Sequence, residues 1–192
     1  METAEDGYTS YRIDVPAAFE QVFSHFYVAG NLTDTNIRKT LLPSFQTILA
    51  FRFGAGISLM SDLDTQIEID KCILLGPVKR PVRYVLPIGS ELLVVNFKSD
   101  AFFRFFGQSL ASGHLQTHPD ELLEENCFTE LWFVLKEIDT ANERVNYLLE
   151  FCKPYLKSRN PDFKTLAGWS DSSNVFNPIK VVARETMSLI NI

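Results

Sequence analysis

Polar and apolar residues alternate most regularly in "SFQTILAFRFGAG", residues 44–56. Phe45, Thr47, Leu49, Phe51 and Phe53 fall on one side and Gln46, Ile48, Ala50 and Arg52 on the other. A period of two is that of a β-strand, whose successive side chains point to opposite faces. Upstream, "YTSYRIDVPAAFEQVFSHFYVAG" holds two β-prone runs divided at Pro16, which predicts an edge strand, a turn and a second strand. "NLTDTN" reads as a loop from its Asn, Thr and Asp content. After Gly54-Ala55-Gly56 come "ISLM", a turn at "SDLD", and "TQIEID", in which Ile67 and Ile69 share a face. "KCILLGPVKRPVRYVLPIGSELLVVNFK" then reads as three further short strands broken at Gly76-Pro77 and at Pro87 to Ser90. Strands following one another at short spacing, with no helices between them, predict an antiparallel barrel or sandwich rather than a parallel α/β sheet.

The period changes at Ser99. "SDAFFRFFGQSL" offers a Ser cap, an early Asp and four phenylalanines at helical offsets, and it predicts a short helix that must plug an apolar surface. From Cys127 to Lys157 the spacing is helical again, with one stripe of Phe128, Leu131, Trp132 and Leu135 and another of Val145, Leu148, Leu149 and Cys152. "DTANER" between them supplies a turn and an N-cap, so the pair predicts a helical hairpin. "KSRNPDFKTLAGWSDSSNVFN" is polar and reads as a linker. "NPIKVVARETMSLINI" carries an Asn cap and Pro178 at the first helical position, the opening of another helix.

The 192 residues are enough for one sizeable core, and 46% hydrophobic residues with 16 Phe describe an ordinary folded chain. A net charge of −6 argues against the whole surface being a footprint for nucleic acid or an anionic membrane, so basic contacts are confined to local patches. The strongest lies between residues 71 and 104, with six Lys or Arg against two acids. It fits either an anionic effector or the solvated end of a hairpin. Within it Arg83 stands inside a strand, opposite Tyr84, where it faces solvent, an acidic partner or an anion. No apolar run reaches the roughly 20 residues of a membrane span. The acidic start "METAEDGYTSYR" lacks the pattern of a secretory signal, which predicts a cytoplasmic protein. Cys72, Cys127 and Cys152 are odd in number, widely spaced and in apolar context, as reduced core thiols are.

Motifs for catalysis are scarce. "GQSLA" lacks the final glycine and the preceding strand of a nucleophile elbow, and there is no phosphate-cradling glycine motif. Only His25 lies in a predicted strand; His114 and His118 read as surface loop histidines. No catalytic residue, metal site or cofactor is therefore expected, and the chain is read as not an enzyme. The strand faces offer a barrel mouth lined by Phe51, Phe53, Arg83, Tyr84, Asn96 and Phe97, which fits an effector site or a plain filled core, since alternation does not distinguish a hollow barrel from a filled one.

From Leu74 onward, "LLGPVKRPVRYVLPIGSELLVVNFKSDAFFRFFGQSL", the acidic "ELLEE" and "ERVNYLLEFCKPYL" together resemble the N-terminal sensor half of AraC-family bacterial transcription regulators. Ser99 stands where many members have Pro, and the glycine before "VNF" is replaced. The resemblance implies an α+β fold, an antiparallel cupin-like β-barrel or sandwich over residues 8–110 followed by a helical dimerisation hairpin over 111–157. It implies a linker over 158–176 and the start of a helix-turn-helix at 177–192, with DNA bound only through a domain beyond residue 192. A small-molecule effector and a homodimer are the expected partners, the dimer pairing through Leu131, Trp132, Leu135, Val145, Leu148 and Leu149. The function implied is a non-enzymatic effector-sensing and dimerisation domain. A small cupin-type metal-dependent enzyme and a ligand-free structural dimerisation module are the alternatives.

Overall fold

The computed structural model describes residues 3–5, 7–60, 66–98, 101, 116–123 and 127–155. The expected linker and helix-turn-helix start lie outside the described residues, as does the Phe-rich stretch after Ser99 apart from Ala101, which is helical and buried. Eleven strands run in chain order: β1 (Thr3–Glu5), β2 (Tyr8–Ile13), β3 (Phe23–Asn31), β4 (Ile37–Leu41), β5 (Ile48–Gly54), β6 (Ile57–Met60), β7 (Gln66–Ile69), β8 (Cys72–Leu75), β9 (Val82–Leu86), β10 (Ser90–Phe97) and β11 (Gln116–Thr117). Three helices follow: α1 (Pro119–Leu123), α2 (Cys127–Lys136) and α3 (Ala141–Cys152).

The strands form a seven-stranded sheet, ordered β1-β2-β3-β10-β5-β8-β11, and a four-stranded sheet, ordered β4-β9-β6-β7. Every pairing between these strands is antiparallel. The fold is thus the expected α+β, cupin-like sandwich with a helical hairpin after it. Three strands were not foreseen, the short β1 and β11 and, within the barrel, β4. "IRKTL" pairs with β9 from Ile37↔Leu86 to Leu41↔Val82, and its two basic residues hide a period of two. The basic connection Gly76 to Pro81 carries the chain from the large sheet to the small one, with Lys79 and Arg80 exposed at its tip.

Both faces of the large sheet are buried, and they are buried against different things. Phe26 and Val28 of β3, Leu49, Phe51 and Phe53 of β5, Cys72 and Leu74 of β8, and Leu93, Val95 and Phe97 of β10 share one cluster with the hairpin residues. The intervening residues, such as Ala29, Ile48, Ala50, Ile73, Leu75 and Leu92, face the small sheet and meet Ile57, Leu59, Ile69 and Leu86. Aromatic bulk is concentrated under the helices: the Phe23 ring lies 5.5 Å from Phe26 and 5.2 Å from Phe97, centroid to centroid. Each such ring contributes about 2 kcal/mol through burial, so this layer is where the hairpin is held.

Polar contacts attach the hairpin to the sheet and close its helix ends. The Trp132 indole Nε1–H donates to the Arg52 carbonyl of β5 at 2.7 Å. Arg144, buried in α3, donates from Nε to the carbonyls of Leu135 and Ile138 at 2.9 and 2.8 Å, which satisfies the open C-terminal end of α2. Asp120 of α1 accepts the N–H groups of Phe128 and Thr129 at 2.7 and 3.0 Å and so caps the start of α2 from outside the helix. Thr140 caps α3 and is bonded to Glu143 at 2.6 Å, the T-x-x-E arrangement legible in "TANE".

Candidate functional site

Between the two sheets lies a cavity of about 400 Å³ with a predominantly apolar wall. Its position follows from the register. On β10, Asn96 pairs with His25 of β3 and Ile48 of β5; one step inward Val94 pairs with Tyr27 and Ala50; one further step brings Leu92 beside Ala29. Arg12 of β2 is paired with Tyr27, so it belongs to the same inward row. The small sheet closes the other side with Ile57, Leu59, Ile69 and Tyr84, and the segment from Leu42 to Gln46 borders the mouth. Phe45, at 98% exposure, stands outside this border rather than in β5 as its alternation predicts.

Two buried amides of the large sheet differ in how they are served. Asn31, outside the described lining of the cavity, is fully buried and its side chain makes four hydrogen bonds. It donates to the carbonyls of Thr35 and Leu86 at 2.9 and 2.8 Å and accepts from Thr33 N–H and Oγ1–H at 3.0 and 2.7 Å. These bonds tie β3 of one sheet to β9 of the other. At the mouth Asn96 is only 6% exposed, yet among the described residues its side chain makes a single bond, Nδ2–H to the His25 carbonyl at 3.4 Å. A buried amide with one N–H and its oxygen unused is costly unless something else completes it.

Beside Asn96, a chain of polar groups runs along the rim. Gln46 Nε2–H donates to Ser24 Oγ at 3.2 Å, and Ser24 Oγ lies 3.1 Å from His25 Nδ1. Burial first, and the positive charge of Arg12 second, hold His25 below its ordinary value, so the ring is neutral at neutral pH. Deeper in the barrel, burial pushes Tyr84 up to about 12 and raises Tyr27 further still, and the Tyr27 hydroxyl lies 3.4 Å from that of Tyr8. These phenols stay protonated and able to donate. Arg12 is the sole formally charged residue in the described wall, and no carboxylate lines it.

Of the six residues expected to line an effector site, Tyr84 and Asn96 line this cavity. Phe51, Phe53 and Phe97 do not: they lie on the opposite face of the large sheet, packed in the core under the hairpin. The physical reason is that the bulky face of this sheet is the one that meets helices, while the smaller side chains, Ala29 and Ala50 among them, leave the space between the sheets open. Arg83 is exposed on β9, on the outer face away from Tyr84. The six hairpin residues expected to pair two subunits, Leu131, Trp132, Leu135, Val145, Leu148 and Leu149, are buried in this chain's own core. Pairing through them requires the hairpin to leave the sheet. Residues that the sequence reasoning missed, Arg12, His25, Tyr27 and Gln46, belong to no motif. Their signal was the alternation His25, Tyr27, Ala29 against Phe26 and Val28.

His118 is not the surface residue expected. Its Nε2 lies 3.4 Å from Cys72 Sγ, and its Nδ1 lies 3.6 Å from Asp120 Oδ2. Cys72 is buried on β8, and burial, then the carboxylates of Asp120 and Asp70, raise its thiol well above the ordinary range. Cys72, Cys127 and Cys152 are all free thiols, as expected. No helix among the described residues is long and apolar enough to cross a membrane.

No family model and no curated protein matches the chain. Among solved structures, similar chains include FeII HppE, at 14% identity and a TM-score of 0.38 over 50% of this chain and 55% of that one. Hydroxypropylphosphonic acid epoxidase from S. wedmorenis is similar at 17% identity and a TM-score of 0.36, over 48% and 51% of the two chains. An oxalate decarboxylase from B. subtilis is similar at 13% identity and a TM-score of 0.37, over 52% of this chain and 27% of that one. The chain thus spans about half the length of the first and about a quarter of the decarboxylase. The expectation that the chain is not an enzyme is corrected here: the chains of like fold are an epoxidase and a decarboxylase, and the exclusion is withdrawn. The described wall of the cavity holds one imidazole, His25, and no carboxylate or thiol. Among the described residues no three His, Cys, Asp or Glu converge. What the chain shares with these neighbours is a cupin-like fold.

Proposed function

We propose that the chain is a ligand-binding unit in which a small, mostly apolar organic molecule occupies the cavity between the two sheets. The observation that carries this reading is the cavity of about 400 Å³, apolar in its depth and rimmed by a buried amide with unused hydrogen-bonding capacity. Ligand sites combine such a wall with a few placed polar groups. The resemblance to AraC-family sensor halves supports a regulatory use, in which occupancy is the signal passed to a DNA-binding half. The attachment of the hairpin to the outer face of the same sheet supplies a route: a ligand that repacks Val94 or Leu92 acts on β10, whose other face holds Leu93 and Val95 against the helices.

The test is a calorimetric screen of small organic molecules against the full chain, with the recovered ligand analysed by mass spectrometry. Saturable one-to-one binding with the ligand returned unchanged supports sensing. Conversion of the ligand would replace sensing by catalysis at the same site, and absence of binding across the screen would contradict the site itself.

A further inference from the structure

We infer that the ligand class of this cavity is an apolar molecule with a single anionic head, a carboxylate or its equivalent, seated against Arg12 in the cavity that Asn96 also lines. The inference rests on the binding reading above and adds to it the charge of the ligand.

Four observations lead there. Arg12 lies in the inward row of β2, paired with Tyr27, and so presents its guanidinium toward the rim rather than to the outer face. Among the described residues it has no ion pair and no side-chain hydrogen bond, whereas Arg52 and Arg144 are each tied to carbonyls and carboxylates. No acid lines the described wall, so no described residue of the wall neutralises Arg12. Asn96, buried and among the described residues bonded only once, at 3.4 Å, opens onto the same cavity and has an N–H to spare for an oxygen anion.

The surrounding groups agree with an anion and disagree with a cation. His25 is within reach of the field of Arg12, and its ring is neutral at neutral pH. Lys39, the nearest other inward-row cation on the small sheet, sits over the Tyr8 ring at 4.4 Å rather than at the mouth. A cationic head would meet Arg12 with no carboxylate in the described wall to offset the repulsion, while a neutral polar head would accept a hydrogen bond but leave the guanidinium without a countercharge. An anionic head gains charge-assisted hydrogen bonds from a fork of donors already in place. Below the rim, Ile48, Val94, Leu92, Ile57 and Leu59 offer only hydrocarbon, which fixes the rest of the ligand as apolar.

The experiment compares three probes with the same eight-carbon tail, octanoate, 1-octanol and octylamine, by titration calorimetry on the full chain at neutral pH. Octanoate is expected to bind about tenfold or more tighter than 1-octanol, with octylamine the weakest. Arg12→Gln should bring octanoate down to the level of the alcohol and leave the alcohol unchanged, and Arg12→Lys should restore part of the preference. Arg12 is exposed, so neither variant is expected to disturb folding. Equal binding of octanoate and octanol by the unaltered chain would overturn the anionic head and leave the cavity as a site for neutral ligands. Binding of none of the three would overturn both readings.

Discussion

Arg144 Nη1 donates to Glu91 Oε2 at 2.6 Å, joining α3 of the hairpin to β10 of the large sheet, and the same guanidinium stacks over the Phe53 ring at 4.1 Å. Arg144 is buried and Glu91 is about one-third exposed, so the two ends of this pair are unequal. The arginine has left water almost completely. What stabilises it is the sum of the carboxylate, two carbonyls and an aromatic face.

Removing the arginine therefore costs more than removing its acid. Arg144→Met should lower the unfolding free energy by about 3 kcal/mol, because two carbonyls at the end of α2 and the Glu91 carboxylate lose their donor together. Glu91→Gln should cost about 1 kcal/mol, since the glutamine oxygen still accepts and the site is partly solvated. Urea denaturation of both variants checks the order. Equal costs would mean that the carboxylate alone holds the hairpin.

The end of β5 leaves no room for a side chain. Gly54 has φ +68°, and a Cβ there would lie 2.1 Å from the Gly89 carbonyl oxygen. Gly54→Ala should destabilise by at least about 2 kcal/mol through strain and displacement of the turn before β10. Thermal unfolding measures it, and a change within about 0.5 kcal/mol would contradict the turn geometry.

His25 supplies a pH dependence of definite sign. Its folded value is depressed, by burial first and by Arg12 second, while in the unfolded chain the ring titrates near about 6.5. Between those two values the unfolded chain binds more protons. Stability is then full above about pH 6.5 and declines as the pH falls toward the folded value, below which both states are protonated and the decline stops. The stability difference between the unaltered chain and His25→Gln should therefore shift in favour of the variant on going from pH 7.5 to 5.0. A difference independent of pH would place His25 in water.

Filling the cavity should separate binding from folding. Ala50 faces it from the centre of β5 and is buried. Ala50→Phe should change stability by no more than about 1.5 kcal/mol, because the added ring occupies open space, and should weaken octanoate binding by at least about tenfold. Unchanged binding would move the site elsewhere.

Strand order along the chain was legible because period-two alternation and Gly/Pro breaks are local signals. Eight of the strands between Tyr8 and Phe97 were anticipated on that basis, and β4 was not, since Arg38 and Lys39 obscured the Ile37, Leu41 face. What alternation could not carry is the identity of each face. In β5 it separated Leu49, Phe51 and Phe53 from Ile48 and Ala50, but both sets are buried, and only the hairpin's docking decides which meets helices and which meets the opposite sheet. The aromatic set was therefore assigned to the cavity when it belongs to the core. The hairpin stripes were likewise found as stripes and assigned to a partner subunit, while their partner is the chain's own sheet. Arg12 and His25 gave no motif, because an isolated Arg or His in a strand acquires meaning only when a neighbouring strand is placed, Tyr27 beside Arg12 and Asn96 beside His25.

Occupancy of the space between the sheets is best read from intermolecular nuclear Overhauser effects between octanoate and the methyl groups of the full chain. The binding reading predicts cross-peaks from the hydrocarbon tail to Ile48, Ile57, Leu59 and Leu92, with the carbon next to the carboxylate nearest the Arg12 end. Cross-peaks confined to Val134 or Leu32 on the exterior, or none at a concentration that saturates binding, would contradict it.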